Sequence, residues 1–229
     1  MIAIIGAMES EIAVLMRAFI CQETLVVADK QLFVGTLCGK QVVIAKSGIG
    51  KVNAAITTTA ILTRHQVDYV LNIGVAGGVQ GVAIGDIVLA DAIAYFDVSL
   101  TEIDDVPYGK MGDDPLLVAT DAKLRKRAEA IIAKQGYGWK IGTIVSGDRF
   151  VTELDHLRPI MAVVDNVLAC EMEGMAVAIC CHKFAVPFLS LRGISDMIDK
   201  TDQKATYSES LRAVCEKTGA LALAFIREQ

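Results

Sequence analysis

The feature that most narrows the fold is a set of short, mostly apolar runs that stop abruptly at glycine or at polar residues. Residues 2–5 end at Gly6, residues 69–73 at Gly74, and residues 186–194 at Ser195 and Asp196. Near-continuous Val/Ile/Leu/Ala runs are what strands look like when helices cover a sheet on both faces. Between the runs lie segments with helical periodicity, such as 9–18 (Ile12, Leu15, Met16), 51–64 and 121–135. Strand and helix signals alternating along the chain predict an α/β fold.

Composition separates this reading from a membrane protein. Of 229 residues, 53% are hydrophobic, and the mean hydropathy is +0.47. No apolar run reaches the length of a membrane span without a charge or glycine inside it. The excess is therefore assigned to buried core and to a subunit interface. The apolar start is short, lacks a basic leader and is followed by Glu9 and Glu11, so it reads as a first strand and not as a secretion signal. Lys+Arg 22 against Asp+Glu 27 gives a net charge of -5, which excludes broad binding to phosphate backbones. Neither nucleic acid nor membrane is expected as a partner. The six cysteines have no C-x-x-C spacing, and Cys180 and Cys181 are adjacent, so buried free thiols in a reducing, cytoplasmic setting are expected. His65, His156 and His182 have no ligand spacing, and neither a metal nor a cofactor is expected.

Further along, 31–37 and 41–46 read as a hairpin turning at Gly39-Lys40. Residues 87–94, 140–146 and 168–170 read as strands, 171–184 and 207–227 as helices, and 97–115 as a long loop. No linker or repeat divides the chain. The expectation is one α/β domain over 1–229, with a mixed central sheet flanked by helices.

In such folds ligands bind beyond the carboxyl ends of the strands, so polar residues just after apolar runs carry the functional information. Glu11 sits in the first turn of a helix, where the dipole alone would favour an acid. Glu171 and Glu173 open a helix on the same logic; they point apart if helical and share a face if extended. Asp196 either caps the next segment or serves a site crowded by Arg192 and Ser195. Phe150 is either a core aromatic or a ring for stacking a ligand. Gly74-Val75-Ala76-Gly77-Gly78 is neither a dinucleotide fingerprint nor a phosphate loop. Its glycines read as permitting close approach of a flat ligand. There is no nucleophile elbow. By themselves the residues indicate an α/β enzyme using acidic groups on a small ligand.

Several stretches carry a resemblance. They are Ile5-Gly6-Ala7-Met8-Glu9-Ser10-Glu11, Lys46-Ser47-Gly48-Ile49-Gly50-Lys51-Val52, Asn72-Ile73-Gly74-Val75-Ala76-Gly77-Gly78 and Gly85-Asp86-Ile87-Val88. Val145-Ser146-Gly147-Asp148-Arg149-Phe150, Glu171-Met172-Glu173-Gly174 and Arg192-Gly193-Ile194-Ser195-Asp196 complete the set. In this order the chain resembles the 5'-methylthioadenosine/S-adenosylhomocysteine nucleosidases of the nucleoside phosphorylase superfamily, nearly end to end. The resemblance implies a nucleoside phosphorylase-like fold, a homodimer, and a place in nucleoside catabolism and methionine salvage. It implies irreversible hydrolysis of an N-glycosidic bond, releasing adenine and a 5-substituted ribose. Glu11 would activate water and Asp196 would protonate purine N7. Met172 and Glu173 would contact the ribose, Phe150 would stack on adenine, and the Val151 backbone would hydrogen-bond it. Met8, Ile49, Ala76, Gly77, Ser195 and Tyr207 would line the substrate.

The implied roles make chemical sense. Glycosidic cleavage passes through an oxocarbenium-like state, and a purine departs poorly as an anion, so an acid at N7 is a major lever. Holding a proton near neutrality requires burial or charge sharing, and walls of Phe150, Val151 and Ile194 would supply burial. Departures from the family pattern are Val75 in place of a hydroxyl residue, the loop 96–112, and Tyr207 in place of Phe. All three bear on the 5' substituent. The rival readings are a 6-amino-6-deoxyfutalosine hydrolase, a purine nucleoside phosphorylase and a nucleoside-binding sensor without turnover. The phosphorylase needs a phosphate site, and acids stand at Met8–Glu11 with no arginine until Arg17.

Overall fold

The computed structural model describes residues 1–103 and 105–228; Asp104, inside the long loop expected over 97–115, and Gln229 lie outside the described residues. The elements run β1 (Ile2–Gly6), α1 (Glu9–Ala18), β2 (Phe19–Val27), β3 (Lys30–Leu37), β4 (Lys40–Lys46), α2 (Lys51–Arg64), β5 (Tyr69–Gly78) and β6 (Ile87–Tyr95). They continue with β7 (Val118–Ala119), α3 (Ala122–Lys134), β8 (Trp139–Ser146), a 3-10 turn (Leu154–His156), α4 (Arg158–Met161), β9 (Val167–Glu171), α5 (Gly174–Lys183), β10 (Phe188–Met197) and α6 (Gln203–Arg227).

All ten strands join one mixed sheet, in which β5 is the junction. Its first half pairs in parallel with β1, leading to an open wing β1-β4-β3-β2. Along its length it also pairs in parallel with β10, and its last residues Gly77 and Gly78 pair antiparallel with Cys170 and Ala169 of β9. Because β10, β6, β8 and β9 are themselves paired in that order, β5 closes them into a ring. Alternate residues of β1 show the layering. Ile2 and Ile4 pack with Ile12 and Leu15 of α1, Ile131 of α3 and Phe225 of α6, while Ala3 and Ile5 pack with Ala54 and Ile61 of α2 and Val177 of α5. Helices thus cover both faces of a single α/β domain, as the apolar runs imply. Asp121 caps α3, its carboxylate accepting from Lys123 N and Leu124 N at 2.9 Å each. Among the described residues no helix is long and apolar enough to cross a membrane, and all six cysteines are free.

Several elements differ from the sequence reading. β2 has no counterpart in it: this edge strand pairs only with β3 and leaves residues such as Ile20 (68% exposed) in solvent, so no buried alternation marks it. β5 does not stop at Ile73 but runs through its glycines, because ring closure gives them partners on β9 and β10. Glu171 ends β9 and does not open a helix; Glu173 is the cap residue of α5. α6 begins at Gln203, ahead of the expected 207. β10 continues through Ser195 and Asp196 to Met197, with a register shift in which Ile194 faces Ala76 and Asp196 faces Gly77. Ser195 is the extra residue of this bulge, a device that re-aims the side chains beside it.

Candidate active site

The carboxyl ends of β1, β5, β8, β9 and β10 meet around a cleft that is partly open to solvent. All twelve residues singled out from the sequence line it: Met8, Glu11, Ile49, Ala76, Gly77, Phe150, Val151, Met172, Glu173, Ser195, Asp196 and Tyr207. Ile194, expected as a wall beside Asp196, is instead fully buried in the main core. Val75 lines the cleft, as do Ala7, Arg149, Cys170, Glu171 and Ile198, for which no ligand-lining role was expected.

Glu11 occupies the first turn of α1 and does cap its helix, but it reaches further. Its Oε2 accepts from Ala7 N at 2.6 Å and Met8 N at 2.9 Å, and its Oε1 accepts from Val75 N on β5 at 3.0 Å. Converging backbone N–H groups of this kind form an anion nest, and here the protein's own carboxylate fills it. Burial raises the Glu11 pKa above its ordinary value, against the opposing pull of Arg192 and of those N–H groups. Gly74 makes the arrangement possible: a Cβ there would lie 2.0 Å from Arg192 Nη1 and 2.4 Å from Glu11 Oε1. At Gly74 the close approach is by the protein's own charged groups, not by a flat ligand.

Asp196 is 1% exposed. Ser195 Oγ donates to its Oδ1 at 2.6 Å, and Gln203 Nε2 donates to its Oδ2 at 2.7 Å. It lies inside β10, so the capping alternative is excluded.

A third carboxylate is structural. Glu171, at the end of β9, accepts from Glu173 N and Gly174 N at the start of α5, and from Arg192 Nη2 at 2.6 Å. Arg192 also donates to Asn72 Oδ1 at 2.6 Å and to Ile73 O at 3.1 Å. Among the described residues Glu173 has only one such partner, accepting from Gly50 N at 2.8 Å. Burial first, then the Glu171 carboxylate beside it, push its pKa up to about 8. The extended alternative for Glu171-Met172-Glu173 was the signal for Glu171, and an arginine inside an apolar run was the signal for its partner.

Phe150 is 47% exposed and packs edge-on to Tyr207 with ring centroids 5.6 Å apart, so it is a cleft aromatic and not a core one. Its loop is tied down by Asp148, which accepts from Lys51 N at 2.7 Å and donates its own N–H to Asp97 at 2.8 Å. Tyr207 Oη lies 3.8 Å from Met8 Sδ across one end of the cleft. Among the described residues, no group of three or more His, Cys, Asp or Glu is placed to hold a metal ion.

The fold and the cleft define a member of the phosphorylase superfamily, whose family description matches residues 1–227. The 5'-methylthioadenosine/S-adenosylhomocysteine nucleosidase of Haemophilus influenzae (strain PittEE) is 40% identical over 228 residues, 98% of each chain. The crystal structure of the corresponding nucleosidase from Neisseria meningitidis, in complex with methylthio-immucillin-A, superposes with a TM-score of 0.94 at 32% identity, covering 100% of this chain and 99% of that one. The native structure of futalosine hydrolase of Helicobacter pylori strain 26695 superposes with a TM-score of 0.91 at 29% identity, covering 100% and 97%. The chain belongs to the 5'-methylthioadenosine/S-adenosylhomocysteine nucleosidase family and is an enzyme that hydrolyses the N-glycosidic bond of nucleosides.

Proposed function

We propose that the protein hydrolyses 5'-methylthioadenosine and S-adenosylhomocysteine, and 5'-deoxyadenosine as well, to adenine and the 5-substituted ribose. Glu11 takes a proton from water as its oxygen attacks C1' of the ribose. The C1'–N9 bond breaks, its electron pair passes into the base, and Asp196 gives a proton to N7, so that adenine leaves neutral. Phe150 stacks on the purine, the Val151 backbone reads its edge, and Met172 and Glu173 hold the ribose. Met8, Ile49 and Tyr207 surround the 5' substituent, with Ala76, Gly77 and Ser195 lining the purine side.

The observation that carries hydrolysis over phosphorolysis is the occupied nest at Glu11. The N–H groups of Ala7, Met8 and Val75, which could have cradled phosphate, are taken by a carboxylate. Arg192, the buried cation nearby, is committed to Glu171, Asn72 and Ile73. A negative charge at that place repels phosphate and suits water. The test is adenine release from methylthioadenosine without added phosphate. Strict dependence on phosphate would point to a phosphorylase, and tight binding without turnover to a sensor.

One alternative substrate has support of its own. Likeness to a futalosine hydrolase over the whole chain keeps 6-amino-6-deoxyfutalosine in view, and comparing kcat/KM across these four nucleosides decides between them. We also propose a cytoplasmic homodimer acting in methionine salvage. Exposed Val52 and Ile56 on α2, at 69% and 40%, with Ile49 in the loop just before it at 55%, support a self-association face there. Light scattering at micromolar concentration tests it, and a monomer there would refute it.

A further inference from the structure

We propose that Gln203 is a positioning residue for the acid. Its one amide clamps the Asp196 carboxyl and the Val151 carbonyl at a fixed separation, so that both meet neighbouring atoms on one edge of the purine. This rests on reading Asp196 as the acid. Gln203 is the first residue of α6 and is 4% exposed. Its Nε2 donates to Asp196 Oδ2 at 2.7 Å and to Val151 O at 2.9 Å. Both amide protons are thereby used.

The orientation of the amide is dictated. Turned over, its Oε1 would face a carbonyl oxygen and a carboxyl oxygen. In the orientation adopted, Oε1 is buried and has no hydrogen-bond partner among the described residues. Leaving a buried acceptor unpaired is costly, and native structures rarely retain one without a reason. Gln203 does not line the cleft, whereas Asp196 and Val151 both do. It therefore acts through them, joining β10, the loop after β8 and the start of α6.

The two clamped acceptors match the chemistry of a 6-aminopurine. N7 and the 6-amino group are adjacent on one edge of the ring, so an acid at N7 and an acceptor at the 6-amino group must keep a set spacing. Val151 O has a second lone pair free for that contact. Without Gln203, Ser195 Oγ is the side chain left holding Asp196, and the carboxyl is free to swing. A misplacement of about 1 Å costs roughly 100-fold in rate.

The test pairs two substrates with two variants. Methylthioadenosine needs a proton at N7. A 4-nitrophenyl 5-methylthio-β-ribofuranoside does not, because nitrophenolate leaves as a stable anion. Gln203→Met removes both donors at similar length, and Gln203→Asn keeps an amide that is one methylene too short. In each, kcat for methylthioadenosine is expected to fall by roughly 10- to 100-fold, with the nitrophenyl riboside changed about threefold or less and Asn the milder. Should Gln203→Met fail to fold, Gln203→Asn carries the same comparison. Equal losses on both substrates, or none on either, overturn the inference alone. Wild-type enzyme that releases no adenine overturns the hydrolase reading and this inference with it.

Discussion

Glu171 Oε2 and Arg192 Nη2 lie 2.6 Å apart with side chains 2% and 1% exposed, and this buried ion pair, not a catalytic group, is the charged centre of the site. It fixes the turn into α5, through the N–H groups of Glu173 and Gly174, and ties the middle of β10 to Asn72 and Ile73 of β5. Removing one member strands the other charge in a dry interior. Glu171→Ala is expected to destabilise the fold by about 3–5 kcal/mol, read from the shift of the urea midpoint. A change under about 1 kcal/mol, the scale of an exposed pair, would show that water reaches Arg192.

Glu11→Gln is close in shape to the group in the nest, removes the proposed base and turns its NH2 toward the Val75 N–H. Adenine release is expected to fall by about 100- to 10,000-fold. Binding of a non-hydrolysable methylthioadenosine analogue should persist in calorimetry. Turnover within tenfold of wild type would remove Glu11 from the reaction.

Asp196→Asn retains a group able to bond with Ser195 and Gln203 and loses the transferable proton. Adenine release should fall by about 100-fold or more, with an unchanged circular dichroism spectrum. Near-normal turnover would assign the acid's role to another group.

Phe150→Ala removes a ring that is half in solvent, so the fold should hardly notice. Affinity for adenine is expected to weaken by roughly 1–3 kcal/mol, as for other aromatic–base stacks, while the melting temperature stays put. Unaltered affinity would mean that the purine lies elsewhere in the cleft.

Glu173 gives a pH signature. In the unfolded chain it ionises around its ordinary value of 4.5, whereas in the fold it keeps its proton to about 8. Between those values only the unfolded state releases the proton, so the wild type loses stability as pH rises and the loss is complete above 8. Glu173→Gln has no such proton. Its melting temperature should therefore gain on wild type between pH 5 and pH 9, and a gap that stays constant would show that Glu173 is ionised throughout.

How much of this was legible beforehand differs by element. The runs at 2–5, 69–73 and 186–194 announced the covered sheet because burial on both faces writes itself into composition. Phe19–Val27 did not, since an edge strand with solvent on its side chains has no such mark. The cleft residues Glu11, Glu173 and Asp196 stood out as acids at strand ends, and the structure places them around one cavity. Glu171 was placed at the start of a helix with an extended backbone as the alternative, and its strand pairing with Ser146, a long-range fact, decides for the alternative. Gln203 offered no signal, because a glutamine in a polar segment looks like solvent exposure until the chain folds over it.

The bulge at Ser195 has a consequence for how this enzyme can change over evolutionary time. Strict alternation would send Asp196 to the side that Ile194 occupies, into the dry interior; one surplus residue turns it outward to the cleft. The aim of Asp196 is thus a matter of counting. Neighbouring side chains can be exchanged for others of similar bulk, but drawing Ser195 into regular pairing would slip the register by one and turn Asp196 inward, so in this stretch pairing is guarded more strictly than spelling.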